Sequence, residues 1–162
     1  MIKRSTGSAG RTLSVIAAVT LAIAACGDSA LGPDPSDAEF DASLGIDLAA
    51  MIKTPSGLFV LDVVVGTGKI AAAGDSATVD YEVWLADATA IDRGTAFTFL
   101  LGGGSVIAGF DEGVTGMGEG GERTIVIPAS LGYGSNGVEG VIPGDAVLVY
   151  ELSLTAVLKP PF

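Results

Sequence analysis

The chain has 162 residues, 19 acidic against 8 basic, a formal charge of −11, no histidine and a single cysteine. The acidic balance argues against a nucleic-acid partner, whose affinity depends on Lys and Arg neutralising phosphates. The lack of histidine removes Ser-His-Asp and Cys-His catalysis and the commonest zinc sites. Metal-carboxylate chemistry stays open, but no acidic cluster has the spacing of a calcium loop, and neither a metal nor a cofactor is expected.

In chain order, the first segment has the pattern of an export signal. Lys3, Arg4 and Arg11 make a basic start, and Leu13 to Ala25 form a nearly unbroken apolar and small run. That run is shorter than the roughly 18–20 residues needed to cross a bilayer. A basic head, a short apolar body and small residues before a break predict a signal over 1–25. Ile23-Ala24-Ala25-Cys26 resembles a bacterial lipobox, which implies cleavage before Cys26 and acylation of its thiol. The remaining chain would then carry 5 − 19 = −14, so attachment to a membrane would rest on the acyl chains. The expected location is outside the cytoplasm, lipid-anchored on the periplasmic or cell-surface side of a bacterial membrane.

Residues 26–55 are polar, acidic and broken by Pro33, Pro35 and Pro55, and are read as a flexible tether. Within them Phe40 to Met51 has some helical spacing and could dock on the adjoining domain. That domain, residues 56–162, has a common size for a single core and is mostly β in pattern. Leu58 to Val65 is an apolar run closed by Gly66-Thr67-Gly68. Ala77, Val79, Tyr81, Val83 and Leu85 alternate with polar residues or Trp84, which puts Tyr81 on a buried strand face. Leu148, Tyr150, Leu152 and Leu154 do the same for Tyr150. Shorter strands are expected at Ala96 to Leu101 and Glu122 to Ile127. Val106, Ile107, Phe110, Val114 and Met117 fall at helical spacing behind Ser105 as an N-cap, with Asp111 and Glu112 on the solvated side. Gly109 and Gly113 weaken that helix, so packing must hold it. The expected fold is α+β, a twisted antiparallel sheet wrapped around one short helix.

Four blocks in fixed order carry a resemblance: "GFDEGVTGM" from Gly109, "GGERTIVIP" from Gly120, "LGYG" from Leu131 and "GVIPGDAVLVYELSL" from Gly140. With "ATVDYEVWL" upstream, the chain from about Ser56 to Val157 closely resembles the FKBP family of peptidyl-prolyl cis-trans isomerases, or rotamases. The resemblance implies rotation about the bond before proline in an apolar pocket, with no nucleophile required. It implies a site in which Tyr81, Asp92, Phe97, Ile107, Phe110 and Tyr133 act on the amide, and Ile91, Val106, Val141, Ile142 and Tyr150 bind the substrate around it.

In this resemblance Phe110 stands where the family usually places a Trp, Tyr150 replaces a Phe and Ile91 another Phe. Val138 stands in a loop where many members carry a His. Only four residues separate Asp92 from Phe97, fewer than in small single-domain members. The implied partners are X-Pro segments of unfolded or exported proteins, with a macrolide as a further candidate ligand and the membrane met through Cys26. A monomer is expected. A non-catalytic module that grips prolyl segments on the same fold is the alternative.

Overall fold

The computed structural model describes residues 34–160; the expected signal segment and Cys26 lie outside them. Six strands form one antiparallel sheet: β1 (Ile52–Lys53), β2 (Phe59–Val64), β3 (Ser76–Leu85), β4 (Ala90–Leu100), β5 (Glu122–Ile127) and β6 (Leu148–Leu158). Their spatial order is β1-β2-β5-β6-β3-β4. One helix, α1 (Ala108–Val114), packs on the inner face. Period-two alternation explains the burial. Ala77, Val79 and Val83 from β3, Ile125 and Ile127 from β5, and Leu148, Tyr150, Leu152 and Leu154 from β6 all enter one core with Phe110 and Val114 of the helix.

The helix is shorter than its apolar spacing suggests. It begins at Ala108 with Ile107 as N-cap and no side-chain cap bond, so Ser105 does not cap it. Met117 lies past its end, beyond the positive-φ turn at Gly116 (82°), yet still packs in the core. At the other side of the helix the Asp111 carboxylate accepts from the Gly102 N–H at 2.9 Å, and Glu112 accepts from Ser56 Oγ at 2.8 Å. The last turn is closed by Arg123, whose Nη1 donates to the Gly113 carbonyl at 2.9 Å while its Nε pairs with Asp62. A cation there also opposes the negative end of the helix dipole.

β4 is nearly twice as long as the strand expected, because it begins at Ala90 and crosses two irregularities that interrupt its alternation. From Asp34 onward the segment read as tether lies against the outer face of the sheet. It runs through three 3-10 turns, Pro35–Asp37, Ala42–Leu44 and Leu48–Ala50. Each starts at an aspartate, Asp34, Asp41 or Asp47, whose carboxylate accepts from the backbone N–H two residues on. Ala38, Phe40, Leu44, Ile46 and Leu48 cover Phe59, Val126, Val147 and Val149, and Met51 completes the cluster. Lys53 ties the start of this strap to the sheet, bridging to Asp34 and lying 5.1 Å from the Phe59 ring centroid.

The strap therefore covers apolar surface that the sheet would otherwise expose. Phe40 is half-buried, so Phe40→Ala is expected to lower unfolding stability by about 1–2 kcal/mol, below the 3–5 typical of a fully buried Phe. Urea denaturation measures this. The Lys53 partner holds the Asp34 carboxyl at about 2. A carboxyl depressed on folding stabilises above its unfolded value and ceases to as pH falls through the folded one. The Asp34 contribution is thus present above about pH 4 and lost toward pH 2.

Candidate functional site

Between the helix and the β3–β4 side of the sheet lies an open cavity of about 460 Å³. β3 supplies Tyr81 and Val83, β4 Ile91, Asp92 and Phe97, and β6 Tyr150. The loop into the helix supplies Gly104 to Ile107, the helix Phe110, and the segment after β5 Tyr133. Phe110 is 3% exposed at the floor. Its ring meets Tyr150 edge-on at 5.3 Å, Tyr81 edge-on at 5.8 Å, Phe97 at 6.3 Å and Phe99 at 5.3 Å. Tyr81 meets Phe97 edge-on at 5.8 Å. Edge-to-face contacts of this kind favour fixed ring orientations.

One ionisable group faces these rings. The Tyr81 hydroxyl donates to Asp92 Oδ2 at 2.8 Å, and the second Asp92 oxygen accepts from the Arg93 N–H. Burial, reinforced by the bond to Asp92, pushes the Tyr81 hydroxyl up to about 12. Tyr81 therefore stays a proton donor throughout the neutral range. Burial likewise raises the Tyr150 hydroxyl. The Tyr81 ring can lie this close to β4 only because residue 94 is glycine: a Cβ there would sit 2.5 Å from Tyr81 Cε1. The Ile107 N–H donates to no acceptor among the described residues and borders the cavity. Among these residues, no three acidic or sulfur-bearing side chains converge to hold a metal.

Nine of the eleven residues singled out in the sequence line this cavity: Tyr81, Ile91, Asp92, Phe97, Val106, Ile107, Phe110, Tyr133 and Tyr150. Val141 and Ile142 do not. Ile142 is buried in the core, and Val141 stands 52% exposed on the loop before β6. That loop folds on itself through the Val138–Ile142 bridge. Val83, Gly104 and Ser105 line it without having been singled out. Val83 was findable, being two residues from Tyr81 on the same strand face.

An aromatic, solvent-open cavity with one carboxylate among its lining residues suits an apolar ligand. Residues 68–155 match the model of the family described as "FKBP-type peptidyl-prolyl cis-trans isomerase". An FK506-binding protein of Neisseria meningitidis serogroup B is 45% identical over 107 residues, 64% of this chain and 98% of that one. The crystal structure of a peptidyl-prolyl cis-trans isomerase from Pseudomonas syringae superposes with a TM-score of 0.64 at 28% identity, covering 73% of this chain and 87% of that chain. FkpA from Escherichia coli gives 0.63 at 32% identity, over 69% of this chain and 53% of its own. The chain belongs to the FKBP-type peptidyl-prolyl cis-trans isomerase family, and its fold and activity are those of that family.

Proposed function

We propose that the prolyl isomerase activity of this chain resides in the aromatic cavity, and that it serves exported proteins while lipid on Cys26 holds it at a membrane. The observation that carries the first part is the Tyr81–Asp92 pair set among Phe97, Phe110 and Tyr150 within one cavity. Rotation about an X-Pro bond is opposed by amide resonance, a barrier near 18–20 kcal/mol. The twisted amide has lost that resonance and is less polar than the planar one. A site that fits the twisted form better lowers the barrier, and no covalent step is needed.

In this arrangement the prolyl ring rests on Phe110, with Tyr81, Phe97 and Tyr150 as walls. The Ile107 N–H and the Tyr133 hydroxyl donate to carbonyls of the peptide, and Asp92 orients Tyr81 and polarises the pocket. Val106 and Ile91 line the rim. The absence of histidine and of any thiol in the cavity costs this chemistry nothing.

Acylation at Cys26 would leave residues 26–33 between the lipid and the start of the strap at Asp34. Extended backbone covers about 3.5 Å per residue, so those eight residues reach at most about 28 Å. The catalytic domain would then work close to the membrane surface. Two measurements test the proposal. An isomerisation assay on X-Pro peptides should show acceleration that falls in Asp92→Ala; none from folded protein would leave a proline-binding module. Membrane fractionation should find the chain with the membrane and its Cys26→Ser form released; equal fractionation of the two would reject the anchor.

A further inference from the structure

The cavity needs Asp92 and Phe97 on the same face of β4, yet five residues of regular strand would put them on opposite faces. The structure resolves this with a bulge. Val79 pairs with Phe97 and Tyr81 with Gly94, so the single residue Asp80 faces both Thr95 and Ala96. The extra residue reverses the alternation. Before it, Asp92 and Gly94 share the inner face with their partners Val83 and Tyr81. After it, Phe97 and Phe99 turn inward opposite Val79 and Ala77.

The bulge is held by side chain as well as by backbone. Ala96 sits at φ 52°, a left-handed conformation that alanine disfavours. The Asp80 carboxylate reaches across from β3 and accepts from the Ala96 N–H at 2.7 Å, giving that displaced donor a partner. On the outer face the next pair, Thr78 and Thr98, share a 2.8 Å hydroxyl bond, so the strand is clamped directly after the bulge. Asp80 itself points away from the cavity, into the polar groove on the outer face with Glu82 and Glu151.

We propose that Asp80 is a positioning residue for the isomerase: by accepting from the Ala96 N–H it fixes the β4 bulge that brings Phe97 into the cavity beside the Tyr81–Asp92 pair. Its effect reaches the substrate through Phe97 and never through its own carboxylate. The side chain is needed as an acceptor, and its charge is secondary. The strain it offsets belongs to the Cβ of Ala96, so a residue without a Cβ should need the pin less.

The test compares Asp80→Ala, Asp80→Asn and the double change Asp80→Ala with Ala96→Gly in the full chain. Isomerisation of X-Pro peptides and Phe97–Tyr81 ring NOEs are measured well below every variant's Tm. Asp80→Ala should lower kcat/KM about tenfold, within the range that small displacements of a contact residue produce, with weakened Phe97–Tyr81 NOEs. Asp80→Asn, which keeps an acceptor oxygen, should recover most of the loss, and Ala96→Gly should recover part of it. Unchanged kcat/KM and NOEs in Asp80→Ala, even with a lower Tm, would overturn the proposal, as would an Asn variant as impaired as the Ala one. The inference rests on the cavity being the isomerase site. A wild-type protein without activity would reject that reading, whereas the NOE comparison would still report whether Asp80 places Phe97.

Discussion

Phe110→Ala is expected to cost about 3–5 kcal/mol of unfolding stability and to lower kcat/KM by at least about tenfold, the discrimination a pocket loses with even a methylene-scale gap. The ring belongs to the core and to the cavity at once: it is 3% exposed and meets Tyr81, Phe97, Phe99 and Tyr150. Its removal takes the floor from under a bound proline and frees four rings that now hold one another in place. Small domains have about 5–15 kcal/mol in all, so the variant should remain folded at low temperature and melt early.

Phe110→Leu separates the two effects. A change of shape with most of the apolar volume kept usually costs less than about 1.5 kcal/mol, so most of the stability should return. The edge-on contacts do not return, and the activity deficit should persist. Urea denaturation and the peptide isomerisation assay, run below the melting range of both variants, read the two quantities. An alanine variant with wild-type kcat/KM would mean that Phe110 is core alone and that the prolyl ring sits elsewhere.

The cavity was legible in outline because its members obey simple periods. Tyr81 and Val83 on one strand, and Tyr150 on another, follow strict alternation, and Val106, Ile107 and Phe110 fall at helical spacing. β4 was not legible in the same way. Its alternation is reversed at Thr95–Ala96 and interrupted again at Ile91, so no single period describes it and only its regular end was read as strand. The strap was legible only in part. Phe40 to Met51 has helical spacing and was expected to be able to dock, and Phe40, Leu44, Ile46 and Leu48 do pack on the sheet, but on 3-10 turns and extended links instead of a helix. The sequence did carry a local signal: aspartate ahead of each turn, with serine two residues on in two of the three. Composition alone, acidic and proline-broken, pointed to a tether. Val141 and Ile142, carried across by position from the family, are not among the residues that line the cavity: Ile142 is buried in the core and Val141 is exposed on the loop before β6.

The helix presents the opposite case, a sequence oddity whose reason is found only in packing. Alanine is better than glycine in a helix by about 0.8–1.0 kcal/mol, so Gly109→Ala and Gly113→Ala would stabilise an isolated α1. In this protein neither is expected to give that gain in full, and Gly109→Ala is expected to destabilise. A Cβ on residue 109 would lie 2.4 Å from Ile127 Cγ2, and one on residue 113 would lie 2.5 Å from Ile125 Cδ1. The atom met at 113 is the far end of a side chain and can rotate aside. The atom met at 109 is on the branch point of a β-branched residue in a fully buried strand position, which has little rotamer freedom. Overpacking costs about 1–3 kcal/mol, which outweighs the propensity gain most clearly at 109, and a net loss of up to about 2 kcal/mol is expected there. The helix would relieve the clash by lifting off β5, carrying Ile107 and Phe110 with it, so kcat/KM should fall as well. A double-mutant cycle with Ile127→Ala checks the cause, because removing the Ile127 branch should make Gly109→Ala far less costly. Stabilisation by Gly109→Ala alone would show that the helix does not sit this close to the sheet, and that the two glycines serve no packing purpose.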